Sequence, residues 1–348
     1  MSMRRRNWFE ALTPLCDALN RLFQDGLIRW AGLLLVVGLL FAGCSTSTTS
    51  APTRATAGPR PTSSFAGLVD IGGGRKLYLE CKGIGTPTVV LVPGLVAAAA
   101  TWSYVTASSG TFKPSNSAVY PEVGRFTRVC SYDRPGTARE DGTFTPSTPV
   151  PQPTTPRNDV ADLHALLTAA RVPGPYVLVG WSYGGPIVRI YASTYPHDVS
   201  GLVLVDGESE FLQTELTPTE FTVFLQMLRK DDEKRIAQWP DVERKNPVTI
   251  FEQVRAAPPV PVMPVAVLSS DQFDPNAFRA RLPADAPANY PELFWRAQLA
   301  SQDRMTKLFP GATHISNTHS DHNIQNNQPK LVITSIRDVV EKVRQHST

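Results

Sequence analysis

Residues 177–185 read Val-Leu-Val-Gly-Trp-Ser-Tyr-Gly-Gly. A short apolar run ends at Gly180, Ser182 stands two residues on, Gly184 two beyond that, and helix-forming sequence follows. Gly-x-Ser-x-Gly between a buried strand and a helix has the form of a nucleophile elbow, a sharp turn that projects the serine hydroxyl over the sheet edge. Both glycines are expected because side chains at 180 and 184 would collide across such a turn. The N–H of Tyr183, at the helix N-terminus, then lies beside the hydroxyl, placed for a developing oxyanion. Such pentapeptides arise by chance in many chains. The strand before and the helix after are the context that gives this one meaning.

Outward from the elbow, strand-like and helix-like segments alternate from residue 65 onward. That is the rhythm of a largely parallel sheet covered by helices on both faces. Segments 68–71, 76–81, 88–92, 127–131, 176–179, 201–205, 265–268 and 312–316 read as strands. Those at 177–179 and 202–205 are continuously apolar, as strands buried on both faces are. The clearest helices are 158–171, 183–195, 290–309 and 329–344. In the last, Leu331, Val332, Ile336, Val339, Val340 and Val343 recur at helical spacing as one core-facing stripe. Pro173 and Gly174 close the helix before the elbow strand, and the prolines between 146 and 156 mark a loop. The rhythm breaks between 207 and 264. Residues 208–253 are helix-prone and group Phe211, Phe221, Phe224, Leu225, Met227 and Leu228. Two readings stand for this segment: a cap (207–262) whose aromatics line an apolar substrate pocket, or an ordinary packing layer.

With 348 residues, 42% hydrophobic and 19% charged, the chain has room for one large α/β domain and a leader. Its net charge of +3 comes partly from Arg4, Arg5 and Arg6, so no nucleic-acid footprint is implied. Arg29 precedes an uncharged apolar run at 30–42. This is short of the ~20 residues a membrane span needs and suits a signal h-region. Phe41-Ala42-Gly43-Cys44 resembles a bacterial lipobox, with Cys44 the lipidated mature N-terminus, although Phe41 replaces the usual leucine. An uncleaved membrane anchor is the alternative. Either reading makes 1–44 a membrane-directing leader, 45–64 a flexible Ser/Thr/Pro tether and 65–348 a catalytic domain outside the cytoplasm. The four cysteines, Cys16, Cys44, Cys81 and Cys130, show no metal-ligand spacing. No metal or cofactor is expected.

A nucleophilic serine needs a base, and the base a third group to orient it. His346 lies in the terminal tail. His164 and His197 belong to a helix and a helix end, which suits structural roles. His314 falls inside the last strand. His322, in Ser320-Asp321-His322-Asn323-Ile324, follows that strand, where a base can reach back over the elbow; it is preferred to His319.

Further stretches carry a family resemblance. They are Leu-Tyr-Leu-Glu-Cys-Lys-Gly at 77–83, Pro-Thr-Val-Val-Leu at 87–91 and Cys-Ser-Tyr-Asp-Arg-Pro-Gly at 130–136. To these add Gly-Pro-Tyr-Val-Leu-Val-Gly-Trp-Ser-Tyr-Gly-Gly at 174–185 and Ser-x-His-x-Ile-Gln leading to Pro329. From about residue 66 onward the chain resembles the α/β-hydrolase superfamily, in particular exported actinobacterial members. The resemblance implies an α/β-hydrolase fold, with a mostly parallel eight-stranded sheet, helices on both faces and a helical cap. It also implies the chain order Ser, acid, His. Its usual place for the acid, after the strand 265–268, gives Asp271 as first choice, with Asp274 nearby. Asp206, after the preceding strand, is the position used in some relatives and the second choice. Relatives often have His-Gly after the third strand. Here Pro93-Gly94-Leu95 stands instead, so the second oxyanion donor implied is the Leu95 N–H. Trp181 replaces a common histidine and is expected to shape the site. Gly136-Thr137-Ala138-Arg139 departs from the relatives' Gly-x-Gly-x-Ser. The family's strand order also makes the strands of Cys81 and Cys130 neighbours, ~4.8 Å apart, so a disulfide between them is expected in an oxidising compartment.

The expectation is a serine hydrolase acting on a small-molecule or lipid ester. Peptidase, lactonase or thioesterase chemistry stays open. The rival is a non-catalytic, lipid-anchored binding protein on the same fold, with the indistinct acid as its main support.

Overall fold

A computed structural model describes residues 64–346. The leader with Cys44, and the tether up to residue 63, lie outside the described residues. The strands are β1 (Ser64–Gly72), β2 (Arg75–Lys82), β3 (Thr88–Val92), β4 (Tyr104–Thr106), β5 (Phe112–Pro114), β6 (Val129–Asp133), β7 (Tyr176–Trp181), β8 (Val199–Val205), β9 (Val265–Leu268) and β10 (Thr313–Ile315). Eight of them form one sheet in the order β1-β2-β6-β3-β7-β8-β9-β10. β2 runs antiparallel to both β1 and β6, and the remaining neighbours are parallel. β4 and β5 make a separate ribbon that nothing in the alternation of the chain announces.

Helices α1 (Val119–Val123), α2 (Pro156–Ala169), α3 (Gly184–Thr194), α4 (Leu212–Glu215), α5 (Pro218–Gln238), α6 (Pro247–Arg255), α7 (Pro275–Arg279), α8 (Tyr290–Thr306), α9 (Ile324–Asn327) and α10 (Pro329–His346) connect the strands. The helix expected at 158–171 starts two residues earlier, because Thr155 and Asn158 form a capping box with Pro156 in the first turn. The helix-prone stretch 208–253 resolves into α4, α5 and α6. Thr217 and Glu220 start α5 with a second capping box.

The pleat of β7 sorts its side chains onto two cores. Leu178 joins Leu163, Leu166, Ile187 and Val188 beneath α2 and α3. Val177 and Val179 join Val332, Ile336, Val339, Val340 and Val343 of α10. The stripe expected on the last helix thus faces the core, and only Leu331 of it is partly buried. α10 meets the sheet at Gly201, where a Cβ would lie 2.6 Å from Val339 Cγ1. β1, at the sheet edge, alternates exposed and half-buried residues along its whole length, which explains why it extends well beyond the apolar segment 68–71.

Cys81 and Cys130 lie level in the β2–β6 register and form a disulfide, with Cα atoms 4.0 Å apart. The bond closes a separation of 49 residues. Its removal by Cys81→Ala should cost about 2–4 kcal/mol of stability, chiefly by freeing the unfolded chain. Thiol titration of unfolded, unreduced protein checks it, and reactive Cys81 and Cys130 would show that the bond does not form.

Candidate active site

The elbow is built by close approach. Ser182 sits at φ +54°, in the left-handed region where non-glycine residues are strained. A Cβ at Gly180 would come 2.4 Å from the Gly184 oxygen, the collision expected across the turn. Gly184 is required for a different reason. Its Cβ would lie 2.3 Å from the Val92 oxygen at the end of β3, so the neighbouring strand forbids a side chain there. Backbone bonds fix the serine. Its N–H donates to Val205 O (3.1 Å), and its carbonyl accepts from Gly185 and Glu208 N–H (both 2.9 Å).

Asp206 follows β8 at φ +43° and is buried. Its Oδ2 lies 2.6 Å from His322 Nδ1, while Ser270 donates to the same carboxylate from its N–H (3.0 Å to Oδ1) and its hydroxyl. The His322 side chain is 50% exposed against 3% for Asp206, so the ring is gripped by a buried acid yet open on the far side. Trp181 braces it from the elbow. Its indole Nε1 donates to the His322 carbonyl (2.9 Å), with ring centroids 5.5 Å apart.

The structure places Asp206, not Asp271, against the imidazole. Asp271 accepts the Ser320 N–H (2.9 Å) and lies 3.4 Å from the Thr318 hydroxyl; it pins the loop that carries His322. Asp274 caps α7, accepting from Asn276 and Ala277 N–H. His319 is exposed, 3.9 Å from Asp271. His314 lies within β10 as expected and receives or gives a hydrogen bond with Ser269 Oγ (2.9 Å). Ser269, His314 and Asp303 imitate a triad beside a cavity of about 300 Å³, but the imitation is incomplete. Asp303 is 3.6 Å from the ring, beyond hydrogen-bond reach. The Ser269 and Ser270 N–H groups are already committed to Ile315 and Asp206.

Gly94 abuts the elbow, since a Cβ there would lie 3.1 Å from Ser182 Cβ. The N–H groups of Leu95 and Tyr183 meet no acceptor among the described residues. Beneath them is a buried polar network that the sequence did not announce. Tyr183 OH donates to Asp159 Oδ2 (2.5 Å), which also meets Lys245 Nζ (2.8 Å). The Arg134 and Lys245 cations lie 5.4 and 5.1 Å from the centroid of the Tyr183 ring. Of the expected apolar group, Phe221, Phe224 and Met227 are buried and Phe211, Leu225 and Leu228 partly buried; Phe221 lies 5.9 Å from Phe224, and Phe224 5.6 Å from Phe294, between ring centroids.

Burial pulls the His322 imidazole down, but the hydrogen bond and charge of Asp206, with smaller help from Asp321 and Glu208, outweigh it and leave it above the usual 6.5. Burial also pushes the Glu208 carboxyl up to about 7, against the opposing pull of His322. A base must be neutral to accept a proton, so any reaction using His322 should lose rate as pH falls through a value above 6.5. Glu208→Gln removes an anion that favours the imidazolium and should move that inflection down. An inflection that stays put in the kcat/KM profile would show that Glu208 does not face the ring.

A family model described as the alpha/beta hydrolase family matches residues 89–331. Among curated relatives, a Bacillus subtilis protein of unassigned function, YqjL, is 36% identical over 99 residues, 28% of this chain and 35% of that protein. The pimeloyl-acyl-carrier-protein methyl ester esterase of Chromobacterium violaceum is 42% identical over 66 residues, 19% of this chain and 26% of that enzyme. The chain thus spans about a third or less of the curated relatives it matches. Among solved structures, a thermophilic esterase from Thermogutta terrifontis aligns with TM-score 0.50 at 19% identity, over 81% of this chain and 99% of that one. A protein taken for a lipase from Acinetobacter baumannii aligns with TM-score 0.51 at 16% identity, over 82% and 93%. At such identities these two likenesses speak for the fold.

Proposed function

The chain belongs to the alpha/beta hydrolase family, and from that premise we propose that it is a serine hydrolase cleaving a carboxylic ester through an acyl-enzyme. Ser182 attacks the ester carbonyl. His322 takes its proton and returns it to the leaving alkoxide. Asp206, fixed by Ser270, holds the imidazole in the tautomer with Nε2 free and balances the charge it acquires. The N–H groups of Leu95 and Tyr183 receive the tetrahedral oxyanion. Water, deprotonated by the same imidazole, then releases the acid.

The observation that carries this reading is the 2.6 Å contact of His322 with Asp206, beside an elbow whose serine is held at positive φ and whose Trp181 donates to the His322 carbonyl. It removes the main support for a non-catalytic binding protein, which was the lack of a recognisable acid. Structural neighbours described as a lipase and as an esterase favour an ester over other acyl bonds. The segment between β8 and β9 is proposed as the cap over the site. Membrane attachment through Cys44 rests on the sequence alone.

A fluorophosphonate probe and a series of p-nitrophenyl esters of graded chain length test the proposal together. Labelling should map to Ser182 and ester turnover should be lost with it. Protein that neither labels nor turns over any ester would refute a hydrolase.

A further inference from the structure

We infer that Glu243, carried on the loop between α5 and α6, is a positioning residue for the oxyanion hole. The inference rests on the hydrolase reading above and deepens it.

The loop 93–96 has to present the Leu95 N–H to the reacting carbonyl, and its own conformation resists this. Val96 sits at φ +67°, which for a β-branched residue is an outlier that only its surroundings can sustain. The Glu243 carboxylate supplies part of those surroundings, beside the Ala138 N–H that donates to the Val96 carbonyl (2.7 Å). Its Oε2 accepts the Val96 N–H at 2.7 Å. Its Oε1 takes Arg134 Nε at 2.6 Å, and Oε2 also takes Nη2 at 3.0 Å. Arg134 in turn donates Nη1 to the Pro93 carbonyl (2.9 Å) and Nη2 to the Gly94 carbonyl (2.5 Å).

The last of these bonds, with the longer one that Ala97 N–H makes to the same oxygen (3.2 Å), sets the direction of the donor. Gly94 C=O and Leu95 N–H belong to one planar trans peptide and point opposite ways. Holding the carbonyl down on Arg134 therefore turns the Leu95 N–H away from the guanidinium, on the side where Gly94 abuts Ser182. The other donor is served by the same cluster, since Tyr183 is tied through Asp159 to Lys245, whose Nζ lies 3.6 Å from Glu243 Oε1.

Glu243 and Arg134 are each 1% exposed in their side chains. Burial alone would push the Glu243 carboxyl up; Arg134 and Lys245 outweigh that and hold it below its ordinary range. A buried pair of this kind adds little net stability over an apolar substitute, so its geometry is better explained by what it orients. The loop that bears it is anchored independently. Glu243 N–H donates to Gly136 O (2.9 Å), and a Cβ at Gly136 would lie 2.6 Å from that nitrogen.

The test is Glu243→Gln in the full chain. One amide oxygen can still accept from Val96, but the amide nitrogen then opposes Arg134 Nε–H. Loss of one aligned oxyanion donor costs about 100- to 1,000-fold in kcat, and a misaimed one should cost about 10- to 100-fold. KM for a p-nitrophenyl ester should stay within about threefold, because the ground-state carbonyl uses the hole weakly. Rates are expressed per active site by fluorophosphonate titration. A trifluoromethyl ketone, which binds by forming the tetrahedral oxyanion, should lose affinity in proportion to kcat/KM. A merely structural role would lower the melting temperature and the count of active sites, leaving kcat per site and ketone affinity unchanged; that result overturns the inference. If Glu243→Gln does not fold, Arg134→Lys, which keeps the charge but loses the fork onto Gly94, is read by the same two measurements. Ser182→Ala is run alongside. Full turnover in that variant refutes Ser182 as the nucleophile, and with it the mechanism the inference rests on, whereas serine-dependent turnover indifferent to Glu243 refutes only the inference.

Discussion

Ser182→Ala should lower ester turnover by roughly 10⁶-fold, to the level left by binding and the oxyanion donors alone. The fold should survive the change. Every bond that holds residue 182 in place runs through its backbone, to Val205, Gly185 and Glu208, and alanine meets the same positive φ with the same Cβ. The melting temperature should therefore shift little while fluorophosphonate labelling disappears. His322→Ala should cost about as much, since the members of such a unit fail together. Turnover of Ser182→Ala within about a thousandfold of the parent would place the nucleophile elsewhere.

Asp206→Asn should lower kcat by about 10⁴-fold. An amide at that position can retain the Ser270 N–H, but it no longer presents two acceptor oxygens, and it favours the imidazole tautomer with its proton on the wrong nitrogen. The imidazolium also loses the charge that stabilises it. Asp271→Asn is the discriminating partner. Its remaining oxygen can still accept the Ser320 N–H, so turnover should stay within a few-fold of the parent. Equal losses in the two variants, or a larger loss at Asp271, would refute the assignment of the acid.

The contrast between these aspartates shows where the sequence becomes ambiguous. The elbow was legible because its meaning is local: two glycines, a serine and an apolar strand stand within nine residues. The place of His322 was legible because only residues 316–323 separate the last strand from the two helices that follow it. The acid was not, since Asp206 and Asp271 both follow apolar strands and chain order admits either. What separates them is sheet order. β8 lies beside β7, and the Ser182 N–H reaches Val205 directly. Asp206, one residue further, therefore ends next to the serine, while Asp271 stands three residues beyond β9 and is spent on the Ser320 loop. Ser270 and Glu243 carried no signal at all. Glu243 meets Arg134 across 109 residues of chain, and no periodicity or motif encodes that distance. The disulfide was reachable only through the strand order that the family resemblance implied, because 49 residues separate its cysteines.

The grip of Glu243 on Arg134, Val96 and Gly136 has a consequence for how the protein can be altered. The segment between β8 and β9 invites exchange with that of a relative, since it is one continuous crossover between two neighbouring parallel strands. Here it is not an interchangeable part. A transplant lacking an acid at the tip of its loop would leave the Arg134 guanidinium buried without its Glu243 counter-charge, and the Val96 N–H without its acceptor. Any residue larger than glycine at 136 would lift the loop off its seat. Successful recombination must carry Arg134, Gly136 and Glu243 as one inherited block, so the specificity of this scaffold and the machinery beneath it are free to diverge only together.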